Sequence, residues 1–130
     1  ILSNFISIIK NEIKEKNGKS ELQRFSKILE NNIKLLEEFA KWLEDKNKDG
    51  KDDVSSACND FLKVLGYISL AYSWFKITKV SLDKLGENKN FYQEKINTAN
   101  YYYDKILPRV EAHYKSAKTG SDYIMKAKFN

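Results

Sequence analysis

Proline is nearly absent from this chain. Pro108 stands alone, and five glycines complete the stock of residues that break regular structure. An all-β fold needs frequent turns, and so few breakers leave little material for them. Cysteine is as scarce. Cys58 has no second thiol to pair with, so an intrachain disulfide is excluded and a reducing, cytoplasmic setting is the expectation. One cysteine and one histidine, His113, cannot assemble a structural zinc site. Arginine is confined to Arg24 and Arg109, so the net charge of +5 comes from lysines scattered along the chain. A nucleic-acid reader clusters its Arg and Lys on one face, and dispersed lysines read instead as solvated helix surfaces. The longest uncharged apolar run, Val64 to Phe75, is closed off by Lys63 and Lys76. It falls well short of the ~20 residues of a membrane span. No secretory leader opens the chain, which begins at Ile1 inside a helical pattern and reads as a piece of a longer protein.

What is present is a helical repeat of apolar residues. At 42% hydrophobic and 32% charged, 130 residues suit one folded domain with a real core. Leu2, Phe5, Ile6, Ile9 and Ile13 form the first stripe of three and four spacings. Gly18 sits where a left-handed cap would end that helix, and Ser20 with Gln23 spells a capping box for the next. Leu22, Phe25, Leu29, Leu36, Phe39 and Leu43 mark the second helix, with Asn32 the polar member of the series. Ile28, Leu35 and Trp42 widen the stripe beyond a coiled-coil seam.

A third helix, from about Val54 to Leu85, is apolar on nearly every side and ends at Gly86. It carries Phe61, Leu62, Val64, Leu65, Tyr67, Ile68, Leu70, Tyr72, Trp74, Phe75 and Ile77, while Gly66, Ser69 and Ser73 could admit a close crossing. Such a helix is buried on several faces or covers a partner. Tyr67, Tyr72, Trp74 and Phe75 are the candidate docking surface, expected to stay partly exposed. The fourth helix runs through Tyr92, Ile96, Ala99, Tyr103, Ile106, Val110, His113 and Ala117. Pro108 removes its bond to the Asp104 carbonyl and predicts a kink. Gly120 stops this helix, and Ser121 could cap a short turn from Tyr123 to Met125. The expected fold is all-α, an antiparallel up-and-down four-helix bundle forming one domain over residues 1–130.

Catalytic and ligand-binding patterns are thin. Asp45, Asn47, Asp49, Gly50 and Asp53 match positions of a calcium loop, but Ser56 replaces the bidentate glutamate that closes it. A solvated loop whose Asp52 or Asp53 caps the third helix is the competing reading. His113 lies on the core stripe without a histidine partner, and Cys58 falls in an apolar setting as a small hydrophobe. Glu37, Glu38 and Glu44 sit among lysines, not as a desolvated pair with separated pKa values. Tyr101, Tyr102 and Tyr103 could stack on bases or a cofactor ring, although aromatics at helical spacing usually serve a core. Glycine-rich phosphate loops and nucleophile elbows are missing. The residues predict no catalytic, cofactor-binding or metal site.

One composite pattern points further. Phe61-Leu62, Leu65-Gly66-Tyr67, Ala71 and Trp74 resemble a helix that follows the catalytic core in one branch of the acyl-CoA dehydrogenases. Phe91-Tyr92, Lys95, Thr98-Ala99, Tyr101-Tyr102-Tyr103 and Leu107-Pro108-Arg109 are similar to that branch's next helix in order and spacing. The branch includes enzymes resembling 3-methylthiopropionyl-CoA dehydrogenase. The resemblance implies an FAD-dependent oligomeric oxidoreductase acting on an acyl-CoA thioester, whose flavin site and catalytic glutamate lie upstream of this domain. It implies a non-catalytic C-terminal packing domain whose partners are the dehydrogenase core and a second subunit. The alternative is an independent helical module binding nucleic acid or a membrane surface.

Overall fold

A computed structural model describes residues 1–14, 19–48 and 53–119, the Asp53 side chain excepted. Every regular element among them is helical: α1 (Leu2–Lys14), α2 (Ser20–Lys48), α3 (Asp53–Lys84), α4 (Lys89–Tyr101), a π turn (Tyr102–Ile106) and α5 (Arg109–Thr119). The calcium-loop positions Asp49, Gly50 and Asp52, the Gly18 cap, and the Gly120 stop with its Tyr123–Met125 turn lie outside the described residues.

Helix ends follow local chemistry. The N–H of Gln23 bonds the carbonyl of Lys19 at 3.1 Å, so Ser20 is the first helical residue and not the cap that its capping-box pattern predicts. The Ser20 hydroxyl instead donates to Glu21. Asn88 does cap α4, its Oδ1 accepting from the N–H of Phe91 at 3.2 Å and satisfying one orphan donor. Lys14, Lys46, Lys48 and Lys84 occupy last turns, where the helix dipole favours cations.

The kink expected at Pro108 takes a specific form. The Leu107 N–H reaches back five residues to the Tyr102 carbonyl at 2.9 Å, which is the π-type bond. Beyond Pro108, Val110 and Glu111 bond the carbonyls of Leu107 and Pro108 with three-residue spacing. The proline therefore splits the fourth helical rod in two, with the missing donor accommodated by one widened turn and one tightened one.

The core is one continuous cluster. Phe25, Leu29, Ile33, Leu36 and Phe39 of α2 meet Val64, Ile68, Ala71 and Phe75 of α3, with Ile9 of α1 and Leu107 and Val110 closing it. Ile33, not Asn32, carries the middle of the α2 stripe. Asn32 turns its amide back to the Ile28 carbonyl at 2.8 Å, so the polar group is satisfied beside the core. Helix α3 is the hub, packed by α2 on one side and by α4 and α5 on another. The start of α2 lies beside the end of α3, where Lys19 pairs with Asp83 at 3.5 Å, and Phe39 meets Phe61 near the opposite ends, edge to face at 5.2 Å.

Candidate functional site

The inward side of α3 gathers most of the aromatic and polar side chains singled out in the sequence. Phe75 is 2% exposed, a core residue and not part of an open surface. It shares the 3–4 spacing of Val64, Ile68 and Ala71, which fixes it on the buried side. Tyr67, Tyr72 and Trp74 are half-buried and pack against the same core.

Tyrosines at the π turn bind this helix by its backbone. The Tyr102 hydroxyl donates to the Tyr67 carbonyl at 2.5 Å, and the Tyr103 hydroxyl to the Ala71 carbonyl at 2.6 Å. The accepting carbonyls are one helical turn apart, so two consecutive tyrosines grip consecutive turns of α3. The Tyr103 ring lies flat on Phe25 with centroids 4.0 Å apart, joining α2 to the same point. Burial pushes the pKa of both hydroxyls up, because a phenolate would lose its hydration there; neighbouring tyrosines add to the effect. Arg24 closes the outside of the joint. It holds Asp104 at 2.9 Å and Asn100 at 2.5 Å, and its guanidinium lies 5.0 Å from the Phe25 ring centre.

At α1, the Tyr72 hydroxyl donates to the Glu12 carboxylate, and the Lys76 ammonium sits 4.4 Å from the Tyr72 ring centre. The Tyr72 pKa is pushed up to about 12, by burial first and by the bond and negative charge of Glu12 next. His113 is held by Asp60, Nδ1 to Oδ1 at 2.9 Å, and its ring lies over Tyr67 at 5.8 Å. It is hydrogen-bonded at the edge of the core, as its position on the stripe predicts. Cys58 differs from expectation: it is exposed on the outward side of α3 and is not a core residue.

Asp45 and Asn47 are helical residues of α2, and Ser56 lies inside α3. The middle of that proposed calcium loop lies outside the described residues. Among those described, no three His, Cys, Asp or Glu side chains are placed to share a metal ion. No helix among them is long and apolar enough to cross a membrane. A groove of about 420 Å³ between α1 and α2 has Ile13 and Ile33 in its floor and Lys10, Lys14, Lys34, Glu30 and Glu37 around it. The mixed rim, with Lys10 and Glu37 paired at 3.1 Å, offers no field of one sign.

The open feature is elsewhere on α3. Leu62, Leu70, Ile77 and Val80 are all exposed, Leu62 by 63%. The apolar excess of α3 thus includes these aliphatic side chains beside the half-buried Tyr67, Tyr72 and Trp74. The signal that separates the two sets is register: 62, 70, 77 and 80 share one face and 64, 68, 71 and 75 the other.

These features define a helical domain whose polar and aromatic side chains tie its own helices together. The chain belongs to the family described as Acetyl-CoA dehydrogenase C-terminal like, whose family model matches residues 5–128. It is thus a C-terminal acyl-CoA dehydrogenase-like domain, in agreement with the resemblance carried by α3 and α4. No curated protein and no solved structure matches the chain.

Proposed function

We propose that this chain is the non-catalytic C-terminal packing domain of an FAD-dependent acyl-CoA dehydrogenase of the branch resembling 3-methylthiopropionyl-CoA dehydrogenase. Oxidation of the acyl-CoA thioester is then the work of upstream domains in a cytoplasmic, oligomeric oxidoreductase. The observation that carries this reading is the family match across residues 5–128. Support comes from the way the candidate groups are engaged. Tyr102, Tyr103, Tyr72 and His113 each hold another helix of the domain. Arg24, one of the arginines a nucleic-acid module would use, is bound to Asp104 and Asn100. We read the helices as an antiparallel up-and-down four-helix bundle in which α4, the π turn and α5 make one bent rod. The Lys19–Asp83 and Phe39–Phe61 contacts support opposite directions for α2 and α3.

The test compares the 130-residue chain with a longer protein that includes the region preceding Ile1. Flavin absorbance and acyl-CoA-dependent reduction of an electron-accepting dye should belong to the longer protein alone. A stoichiometric flavin band copurifying with the shorter chain would refute the assignment, as would a longer protein lacking both flavin and activity.

A further inference from the structure

Helix α1 is held to the domain from one side. It packs chiefly along α2, whereas α2, α4 and α5 all pack on α3. The centre of the core, where Phe25, Leu29 and Phe39 meet Ile68, Phe75 and Val110, is built without it. To that core α1 adds Ile6, Ile9 and Ile13, with Leu2 and Phe5 half-buried at its start. Its other side, Ser3, Asn4, Ser7, Ile8 and Asn11, stands in solvent. The seam with α2 is also incompletely filled. The groove of about 420 Å³ floored by Ile13 and Ile33 lies along it, and side chains that border a void forgo the contacts of dense packing. Two polar links cross from α1. Lys10 and Glu37 meet at 3.1 Å, but each side chain is 45% exposed, so water screens the pair. The Tyr72 hydroxyl donates to the Glu12 carboxylate where both residues are half-buried, and a bond to an ionised acceptor is the stronger kind.

We propose that α1 is a releasable strap. It opens as one unit while α2, α3, α4 and α5 stay folded, and the Tyr72–Glu12 bond is its latch. At 13 residues α1 has the length at which an isolated helix is marginal in water, so it loses its helix as it leaves. Release takes the acceptor away from the Tyr72 hydroxyl and opens the side of α2 that carries Ile33. The surface under α1 is thus presented by a minor population of otherwise folded molecules, in a proportion set by the latch. The device does not depend on what reaction the parent protein performs.

Native-state hydrogen exchange on the 130-residue chain, followed through low urea concentrations, tests this. The amides of Ile9, Lys10 and Ile13 should share one opening equilibrium. Its urea dependence should be shallower than that of Ile68 and Ala71 in α3, because less surface is exposed. Tyr72→Phe keeps the ring and removes the latch, so exchange across α1 should rise about fivefold. Val110→Ala weakens contacts between α5 and α3 that persist when α1 is open. It should speed exchange at Ile68 and Ala71 and leave Ile9 and Ile13 unchanged. Should that variant fail to fold, the urea dependences of the unaltered chain decide alone. Equal urea dependence in α1 and α3 overturns the proposal, since α1 then opens only with the whole domain. A gradient of exchange along α1 does so too, because it means fraying from an end. Exchange in α1 that ignores Tyr72→Phe, or that rises with Val110→Ala as much as exchange in α3, is equally fatal.

Discussion

Tyr103 joins three parts of the molecule through one side chain. Its hydroxyl holds the Ala71 carbonyl, its ring covers Phe25, and its backbone belongs to the π turn. Tyr103→Phe keeps the stacked ring and removes the hydrogen bond. The Ala71 carbonyl retains its place in the α3 ladder, so the loss is that of one ordinary buried bond. Denaturant unfolding should show about 1 kcal/mol of destabilisation. Thr78 presents the opposite case. It is fully buried on the inward side of α3, and its hydroxyl has no hydrogen-bond partner among the described residues. Thr78→Val replaces that hydroxyl by a methyl of similar shape and should raise stability by about 1 kcal/mol in the same measurement.

At the scale of the element, α3 and the α4–α5 rod solve different problems. Helix α3 is long and uninterrupted, and its one internal glycine has no packing reason within the chain, since a methyl at Gly66 would meet no atom within 4 Å. Gly66→Ala should therefore stabilise the isolated domain by about 1 kcal/mol through backbone entropy, read as a higher urea midpoint. In the α4–α5 rod, the proline is compatible with continued packing because the π turn keeps Tyr102, Tyr103, Leu107 and Val110 on the buried side of the break. The interruption is placed where two hydroxyls reach α3.

For the molecule as a whole, phenols link the peripheral helices to α3: Tyr72 ties it to α1, and Tyr102 and Tyr103 tie it to the π turn. All have pKa values raised by burial, Tyr72 to about 12 from the ordinary 10.0. The sign follows from proton binding. Above pH 10 the unfolded chain releases phenolic protons that the folded chain retains, so the unfolded state gains stability as pH rises. The contribution from Tyr72 is complete below pH 10 and is lost as pH passes through about 12. Circular dichroism should show unfolding in this window, with tyrosinate absorbance rising together with the loss of helix. A Tyr72→Phe variant should lose the part of that pH dependence due to Tyr72. Tyrosinate from these three phenols appearing near the ordinary pKa of 10.0 in a chain still fully helical would contradict their burial and bonding.

Much of this architecture is written in the order of residues. Three-and-four spacing places the helices, because a 3.6-residue period can bury one side of a segment only if apolar residues recur at that interval. The span of α3 and the break at Pro108 follow from the same local rules, and the family resemblance rests on residues that α3 and α4 display. Tertiary structure decided which apolar side of α3 faces inward. Phe75 and Leu70 are both strongly apolar, and local sequence cannot rank them; packing against α2, α4 and α5 buries the first and leaves the second in solvent. The same holds for Cys58, placed outward by the rotation of α3, and for Ile33, which displaces Asn32 from the α2 stripe. The tyrosine bonds to the Tyr67 and Ala71 carbonyls join residues more than thirty positions apart. No periodicity contains them, because they depend on where two helices lie against each other and not on the conformation of either one.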